Sequence, residues 1–378
     1  MNKFDLEHEV FINQSIPSLF KERNTLERKM TDLDFEKNCI LYTRVPDYLS
    51  FCKNEEISNL GMRKAIENQG YRMNLKDCDS VDDYLRSRFG RSSRYKLRRE
   101  KKRLEQCFNP SYKMWQEKIE RSHYDFIYDE LFRLLEVRSE EKNIEDNYYF
   151  DYKEKYRDVI FQLLHQKKAS VHVIYVGENP IDICINFIKG KTVYQFIRTY
   201  DIAFSKFKTG YINLIKHLEW AIDQGFESIV FGPGNVEWKE KWCNETYNYS
   251  KIVFYNSNSL RMRMKSFVFI MTYNIKSMVR TTKFKIVIDK IFQKPKAKTS
   301  NKKKKFSFEL KSSEDLELKF LNLLDLNTQD TYFRRFLFNY MYDNKINLAN
   351  VQIFNSPKQD LYVLLLKDLE NKSVIKKL

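Results

Sequence analysis

Paired cysteines are missing from this 378-residue chain: Cys39, Cys52, Cys78, Cys107, Cys184 and Cys243 are scattered, with no C-x-x-C and no histidine at ligand spacing. A disulfide framework and a zinc site are therefore not expected, and no metal is called for. No apolar run reaches the roughly 18 residues of a membrane span; the closest approach is Ser266 to Met278, SFVFIMTYNIKSM. The opening MNKFDLEHEVFINQS carries acidic residues where a signal peptide needs a basic start and an apolar run. A reducing cytoplasm is the expected location, with the inner face of the membrane as an alternative. Negative charge is also short, since 67 Lys+Arg stand against 51 Asp+Glu for a net charge of +16. That balance points to anionic partners: a nucleotide, nucleic acid or an acidic membrane face. With 42% hydrophobic and 15% aromatic residues the chain is not disordered, and its length suits two or three domains.

Residues 192–255 carry the most information. TVYQFIRTYD reads as a strand, followed by a short loop ending in Lys208-Thr209-Gly210, an amphipathic helix (YINLIKHLEWAIDQG), a strand (SIVFGPG), a short WKEKW helix and a last strand, YSKIVFY. Upstream, SVHVIYV and IDICINFI alternate around Gly177-Glu178-Asn179-Pro180, and Lys189-Gly190-Lys191 turns the chain into TVYQFIRTY, giving a three-strand meander. The loop before the helix offers free backbone N–H groups at the positive end of a macrodipole, beside Lys206 and Lys208. Such an end favours phosphate or pyrophosphate.

The run YDIAFSKFKTGYINLIKHLEWAIDQGFESIVFGPGNVEWKEKW resembles the C-terminal acyltransferase domain of the CelD-like branch of the GNAT superfamily, related to Fem-type peptidyltransferases. The matching positions are Asp201 after the fourth strand, Thr209-Gly210 opening the helix, Gly225 at its end, Gly232 with Gly234, and Lys239 in the following turn. The basic stretch DDYLRSRFGRSSRYKLRREKKRLE is similar to the helix that leads into that domain, so the likeness spans about residues 71–255. Where the family usually has Ser-Pro-Gly this chain has Lys208-Thr209-Gly210, and the second glycine of the pyrophosphate loop is absent, so Lys208 and Tyr211 crowd the loop.

The resemblance implies an α/β (α+β) fold, with a mixed, mainly antiparallel GNAT-like sheet flanked by helices. It also implies an N-acyltransferase that moves an acyl group from acetyl-CoA or another acyl-CoA to an amine, on a sugar or surface-polysaccharide intermediate. Pantetheine would run between the fourth strand and the next, pairing with backbone at about Phe196, Arg198 and Thr199, with the pyrophosphate at Lys208, Thr209, Gly210 and Tyr211. Asp201 and Glu237, each just past a strand end, are the base candidates, and either also reads as ordinary: Asp201 as a turn or cap, Glu237 as surface helix. His217, inside the helix, reads first as a packed histidine. Gly232, Gly234 and Lys239 would meet the acceptor. The alternatives are a Fem-type aminoacyl-tRNA-dependent peptidyltransferase acting on a peptidoglycan precursor, and a non-catalytic scaffold that binds RNA or membrane. No DNA is expected.

The organisation expected is a degenerate GNAT-like half over 1–115, the acyltransferase domain over 116–257, a basic amphipathic segment over 258–292, a Lys-rich linker over 293–305 and a small separate α/β module over 306–378, with a strand-like start (FSFEL), helical runs (EDLELKFLNLL and TYFRRFLFNYMYDN) and two strand-like runs (VQIF and LYVLLL). In the first part PSLFKERNTLERKMTDLD and EEISNLGMRKAIENQG read as helical and CILYTRV as a strand. Arg91, Arg94 and Arg98, three and four apart, share a helix face that is either plainly solvated or grips an anionic substrate or RNA. A helical hairpin follows, about Tyr124 to Arg138 and Tyr152 to Gln166, with Phe126, Ile127, Leu131, Leu134 and Leu135 on its first core face. Tyr148 and Tyr149 in its loop either line an acceptor pocket or lie on the surface. Residues 258–292 read either as a helix packed on the sheet or as a helix on an anionic bilayer, with Arg261, Arg263, Lys265 and Lys276 at headgroup level.

Overall fold

The computed structural model describes residues 20–21, 39–48, 50–51, 59–144, 149–234, 236–281, 308–312, 322–323, 325–326, 329–356, 361–366 and 372–377. In chain order the elements are β1 (Ile40–Pro46), β2 (Leu60–Asn74), α1 (Val81–Arg88), α2 (Arg91–Phe108), β3 (Ser111–Trp115), α3 (Arg121–Glu141), α4 (Lys153–His165), β4 (Ala169–Val176), β5 (Asn179–Lys189) and β6 (Thr192–Tyr200). After a 3-10 turn, Ile202–Phe207, come α5 (Thr209–Asp223), β7 (Ser228–Phe231), α6 (Glu237–Trp242), β8 (Glu245–Asn256) and α7 (Leu260–Thr281). The last elements are β9 (Phe308–Ser312), β10 (Asn322–Leu323), α8 (Thr331–Asn344), β11 (Val351–Ser356), β12 (Leu361–Leu366) and β13 (Lys372–Lys377). The architecture is the mixed α/β one expected, with antiparallel sheets flanked by helices.

The chain divides into two compact units, residues 1–74 with 228–300, and residues 75–227 with 301–378. In the first, antiparallel strands run in the order β1-β8-β2-β7. The 15-residue β2 replaces the helix expected over EEISNLGMRKAIENQG. Local helix formers lose here to cross-strand packing: the Tyr255 ring lies over Gly61 and the Tyr247 ring over Gly70, each filling the space a Cβ would need. Tyr247 cannot swing away readily, because its hydroxyl bonds Tyr249 at 2.6 Å and donates to the Phe231 carbonyl at 3.3 Å.

In the second unit β6-β5-β4-β3 form an antiparallel meander. Its turns use positive φ at Gly177 (59°) and Gly190 (56°), where glycine carries no Cβ penalty. The hairpin of α3 and α4 appears as expected, and Ile127, Leu131, Leu134 and Leu135 are buried, but Phe126 is exposed. The C-terminal residues also hold a five-stranded antiparallel sheet, ordered β9-β13-β12-β11-β10. Of the expected elements, TYFRRFLFNYMYDN is α8, and VQIF and LYVLLL are β11 and β12. These residues do not stand apart as a module: Phe333, Leu337, Phe338 and Met341 of α8 share one core with Leu104 and Phe108 of α2 and with Phe204 and Phe207. Phe108 packs edge-on against Phe204, Phe207 and Phe338 at 4.9, 5.2 and 4.9 Å between ring centroids. The helix expected over EDLELKFLNLL lies outside the described residues apart from Asn322 and Leu323, which are strand, and the Lys-rich linker lies wholly outside them.

Gly70→Ala drives a methyl into the Tyr247 ring, so it should cost about 1–3 kcal/mol despite alanine's lower backbone entropy. Urea unfolding of the variant measures this, and an unchanged midpoint would mean that the ring is free to move.

Candidate functional site

The site is built at the junction of β6, the 3-10 turn and α5. Lys208 sits at φ 56°, ψ 39° and turns the chain between the two helical segments, and no side chain caps α5. Of the first N–H groups of the helix, that of Tyr211 is taken by the Lys208 carbonyl at 2.8 Å, and those before it carry the partial positive charge that favours an anion. Lys208 is exposed there, whereas Lys206 is paired with Asp343 at 2.6 Å.

Beneath the helix start lies a buried ion pair. Asp182 of β5 receives Arg198 Nε at 3.2 Å and an Nη at 3.1 Å, and Asn213 Nδ2 at 2.7 Å. The same Arg198 nitrogen donates to the Gly210 carbonyl. Burial pushes the Asp182 carboxyl up, against the opposing pull of Arg198. Arg198, read from the sequence as a cofactor residue, is thus committed inward. Gly210 has a second neighbour besides any phosphate: a Cβ there would lie 3.2 Å from the guanidinium, which would have to give by a few tenths of an ångström. The hydroxyls of Thr199 and Thr209 are buried without a hydrogen-bond partner. Phe196 offers its carbonyl to the Tyr149 hydroxyl at 3.0 Å and its ring to Tyr149 edge-on at 5.5 Å, so the main-chain acceptor expected to pair with pantetheine is occupied. Tyr211 is half-buried in the first turn of α5, and Tyr148 lies outside the described residues.

Asp201 is buried, and both of its oxygens are engaged. Oδ1 accepts from the Ala203 N–H at 2.9 Å, capping the 3-10 turn, and Oδ2 receives Arg334 of α8. With both oxygens engaged, the geometry assigns the side chain to capping and to anchoring the C-terminal helix. Glu237 opens α6 in the other unit, 79% exposed and paired with Lys241 at 2.6 Å, which holds its carboxyl below the ordinary range. Lys239 is buried, and its ammonium donates to the carbonyls of Gly232 at 2.5 Å and of Pro233 and Gly234 at 3.4 Å. With Gly234 at φ 114° it fixes the turn after β7. On α2, Arg98 pairs with Asp82 at 2.9 Å, and half-buried Arg94 donates to the Phe89 carbonyl at 2.5 Å. Arg91 faces solvent. The exposed stripe is therefore Arg91, Tyr95, Arg98, Arg99 and Lys102, shifted from the face expected.

Sequence reasoning missed Asp182, Asn213 and Arg334. Only the first had a signal, a charge inside the otherwise apolar strand IDICINFI. His217 is a packed histidine, 4.4 Å from His172 and 5.7 Å from Trp220 between ring centroids. Ser170 contacts His172 Nε2 at 3.3 Å, but full burial of the serine removes it as a nucleophile.

Residues 91–240 match the family described as acetyltransferase (GNAT) domain, so the chain carries a GNAT-like acyltransferase domain. No curated protein matches the sequence. Among solved structures, a conserved protein of unknown function from Bacteroides thetaiotaomicron is 12% identical with a TM-score of 0.36, covering 52% of this chain and 63% of its own. FemX is 12% identical with a TM-score of 0.38, covering 52% of this chain and 66% of its own. L-PGS from Bacillus licheniformis is 16% identical with a TM-score of 0.34, covering 56% and 67%. The chain thus spans about two thirds of the length of each.

Two outcomes follow from these contacts. Arg334→Met leaves a buried carboxylate unpaired and should cost about 3–5 kcal/mol, with partial recovery when Asp201→Asn is added; urea unfolding of the three variants decides it. Burial holds both histidines neutral, pushing His217 from 6.5 down to about 3 and His172 well below its ordinary range. Below pH 6.5 the unfolded chain therefore binds protons that the folded chain does not, so stability is full above that pH and falls as pH drops. Going from about pH 7.5 to 5.5 should cost about 1 kcal/mol per histidine. In unfolding midpoints at the two pH values, His217→Phe should remove its share of that loss.

Proposed function

We propose that the protein moves an acyl group from acyl-CoA to an amine, with the donor's pyrophosphate on the N-terminus of α5. The observation that carries this reading is the uncapped helix start behind Lys208, inside the segment that matches the GNAT domain family. The thioester would supply the activated acyl group. Lys208 would pair with phosphate at the mouth, the open amides of α5 would orient it, and the Asp182–Arg198 pair would keep that helix end in place. Glu237, the other carboxylate read from the sequence as a base, is exposed and paired with Lys241. The acceptor suggested by the CelD-like resemblance is an amine on a sugar or polysaccharide intermediate.

A second reading, aminoacyl transfer from charged tRNA in the Fem manner, has its own support. Tyr149 occupies the Phe196 carbonyl that pantetheine would use, and α2 offers an exposed Arg-Tyr-Arg-Arg-Lys stripe suited to a phosphate backbone with one aromatic for stacking.

Millimolar acetyl-CoA should raise the thermal midpoint by about 3 °C or more by mass action, and Lys208→Glu should abolish the rise while leaving the unliganded midpoint unchanged. No rise in the wild type, together with salt-sensitive binding of tRNA that weakens in Arg91→Gln/Arg99→Gln, would replace the first reading by the second.

A further inference from the structure

Helix α7 has two apolar faces, and the fold uses one of them. Met262 and Ser266 are buried, and Ser266 Oγ receives Arg63 Nε of β2 at 3.1 Å, which fixes the inner face against the sheet of the first unit. Leu260, Met264, Phe267, Val268, Met271 and Ile275 are between 47% and 70% exposed. At 3.6 residues per turn these positions fall within an arc of about 100°. The apolar stripe is therefore continuous over four turns and faces solvent.

Charge selects what could cover it. Arg263 borders the stripe on one side and Arg261 and Lys265 on the other, and α7 contains no Asp or Glu. A cleft of about 370 Å³ runs beside the stripe, with Phe267, Ile270 and Met271 on its apolar walls and Arg63 and Lys64 of β2 among its lining. A second copy laid stripe to stripe would bring like charges together with no carboxylate on the helix to offset them. A surface that is anionic outside and apolar beneath meets both requirements.

We propose that α7 is a membrane-surface anchor: it lies in the plane of an anionic lipid bilayer, with the Met264–Val268–Met271 stripe among the acyl chains and Arg261, Arg263 and Lys265 at the phosphates. No helix among the described residues is long and apolar enough to cross a membrane, so the contact is peripheral. It would hold the chain at a surface whatever its acyl donor.

Co-sedimentation of the full chain with vesicles of phosphatidylcholine, alone or mixed with phosphatidylglycerol, tests this. The wild type should bind only the anionic vesicles. Val268→Asp/Met271→Asp, both at exposed positions, should weaken binding about tenfold or more with an unchanged thermal midpoint. Arg261→Gln/Lys265→Gln, which keeps the apolar stripe, should weaken it by about fivefold per cation removed. Absence of wild-type binding, or equal binding by the aspartate variant, would overturn the anchor. A wild-type dimer in analytical ultracentrifugation that Val268→Asp dissolves would also overturn it, because the stripe would then be covered by a second copy.

Discussion

The Asp182–Arg198 ion pair is the constraint on which the second unit's candidate site depends. Taking both charges out of water costs several kcal/mol per ion, and only good geometry offsets that. Here two guanidinium contacts, the Asn213 amide and the Gly210 carbonyl supply the geometry, so β5, β6 and the first turn of α5 can hold only one mutual arrangement. Because Arg198 lies beside Gly210, a Cβ there would sit 3.2 Å from the guanidinium and press on the ion pair. The polar core and the start of α5 are thus one device, with the buried charge holding the helix end in place.

The C-terminal residues extend the same unit. Four aromatic rings from α2, the 3-10 turn and α8 pack together, with three of them edge to face on Phe108 and with Phe338 tilted against Phe204, and Arg334 closes the arrangement on Asp201. Such aromatic pairs contribute beyond their area, while the Arg334 contact gives direction. Asp201 follows β6 directly, so α8 braces the loop that leads to Lys208. The first unit is built differently: in β2 the tyrosines of β8 supply the bulk that Gly61 and Gly70 lack, and α7 keeps an apolar face outside its sheet.

Much of this was legible in the sequence. SVHVIYV, IDICINFI and TVYQFIRTY are strands as read, the first two buried on both faces, and the 3.6-residue spacing in YINLIKHLEWAIDQG and TYFRRFLFNYMYDN is that of helices with one face in the core. The helix after Lys208 also followed from local pattern, while its opening at Thr209-Gly210 and the basic helix at Arg91 were implied by the family resemblance.

What the sequence by itself determined, then, was local: the meander, the helix behind Lys208 and the excess of positive charge. Only the tertiary structure decided that Arg198 faces inward, that Asp201 pairs with Arg334, that an apolar stripe of α7 is left exposed, and that a glycine-bearing segment of helix formers is a strand. Each of those outcomes depends on a partner distant in sequence: Asp182 is 16 residues from Arg198, Arg334 is 133 from Asp201, and Tyr247 faces Gly70 across paired strands. A charge or a gap in a sequence window carries no mark of what will neutralise or fill it. That is fixed when the chain folds and distant groups must satisfy one another out of water.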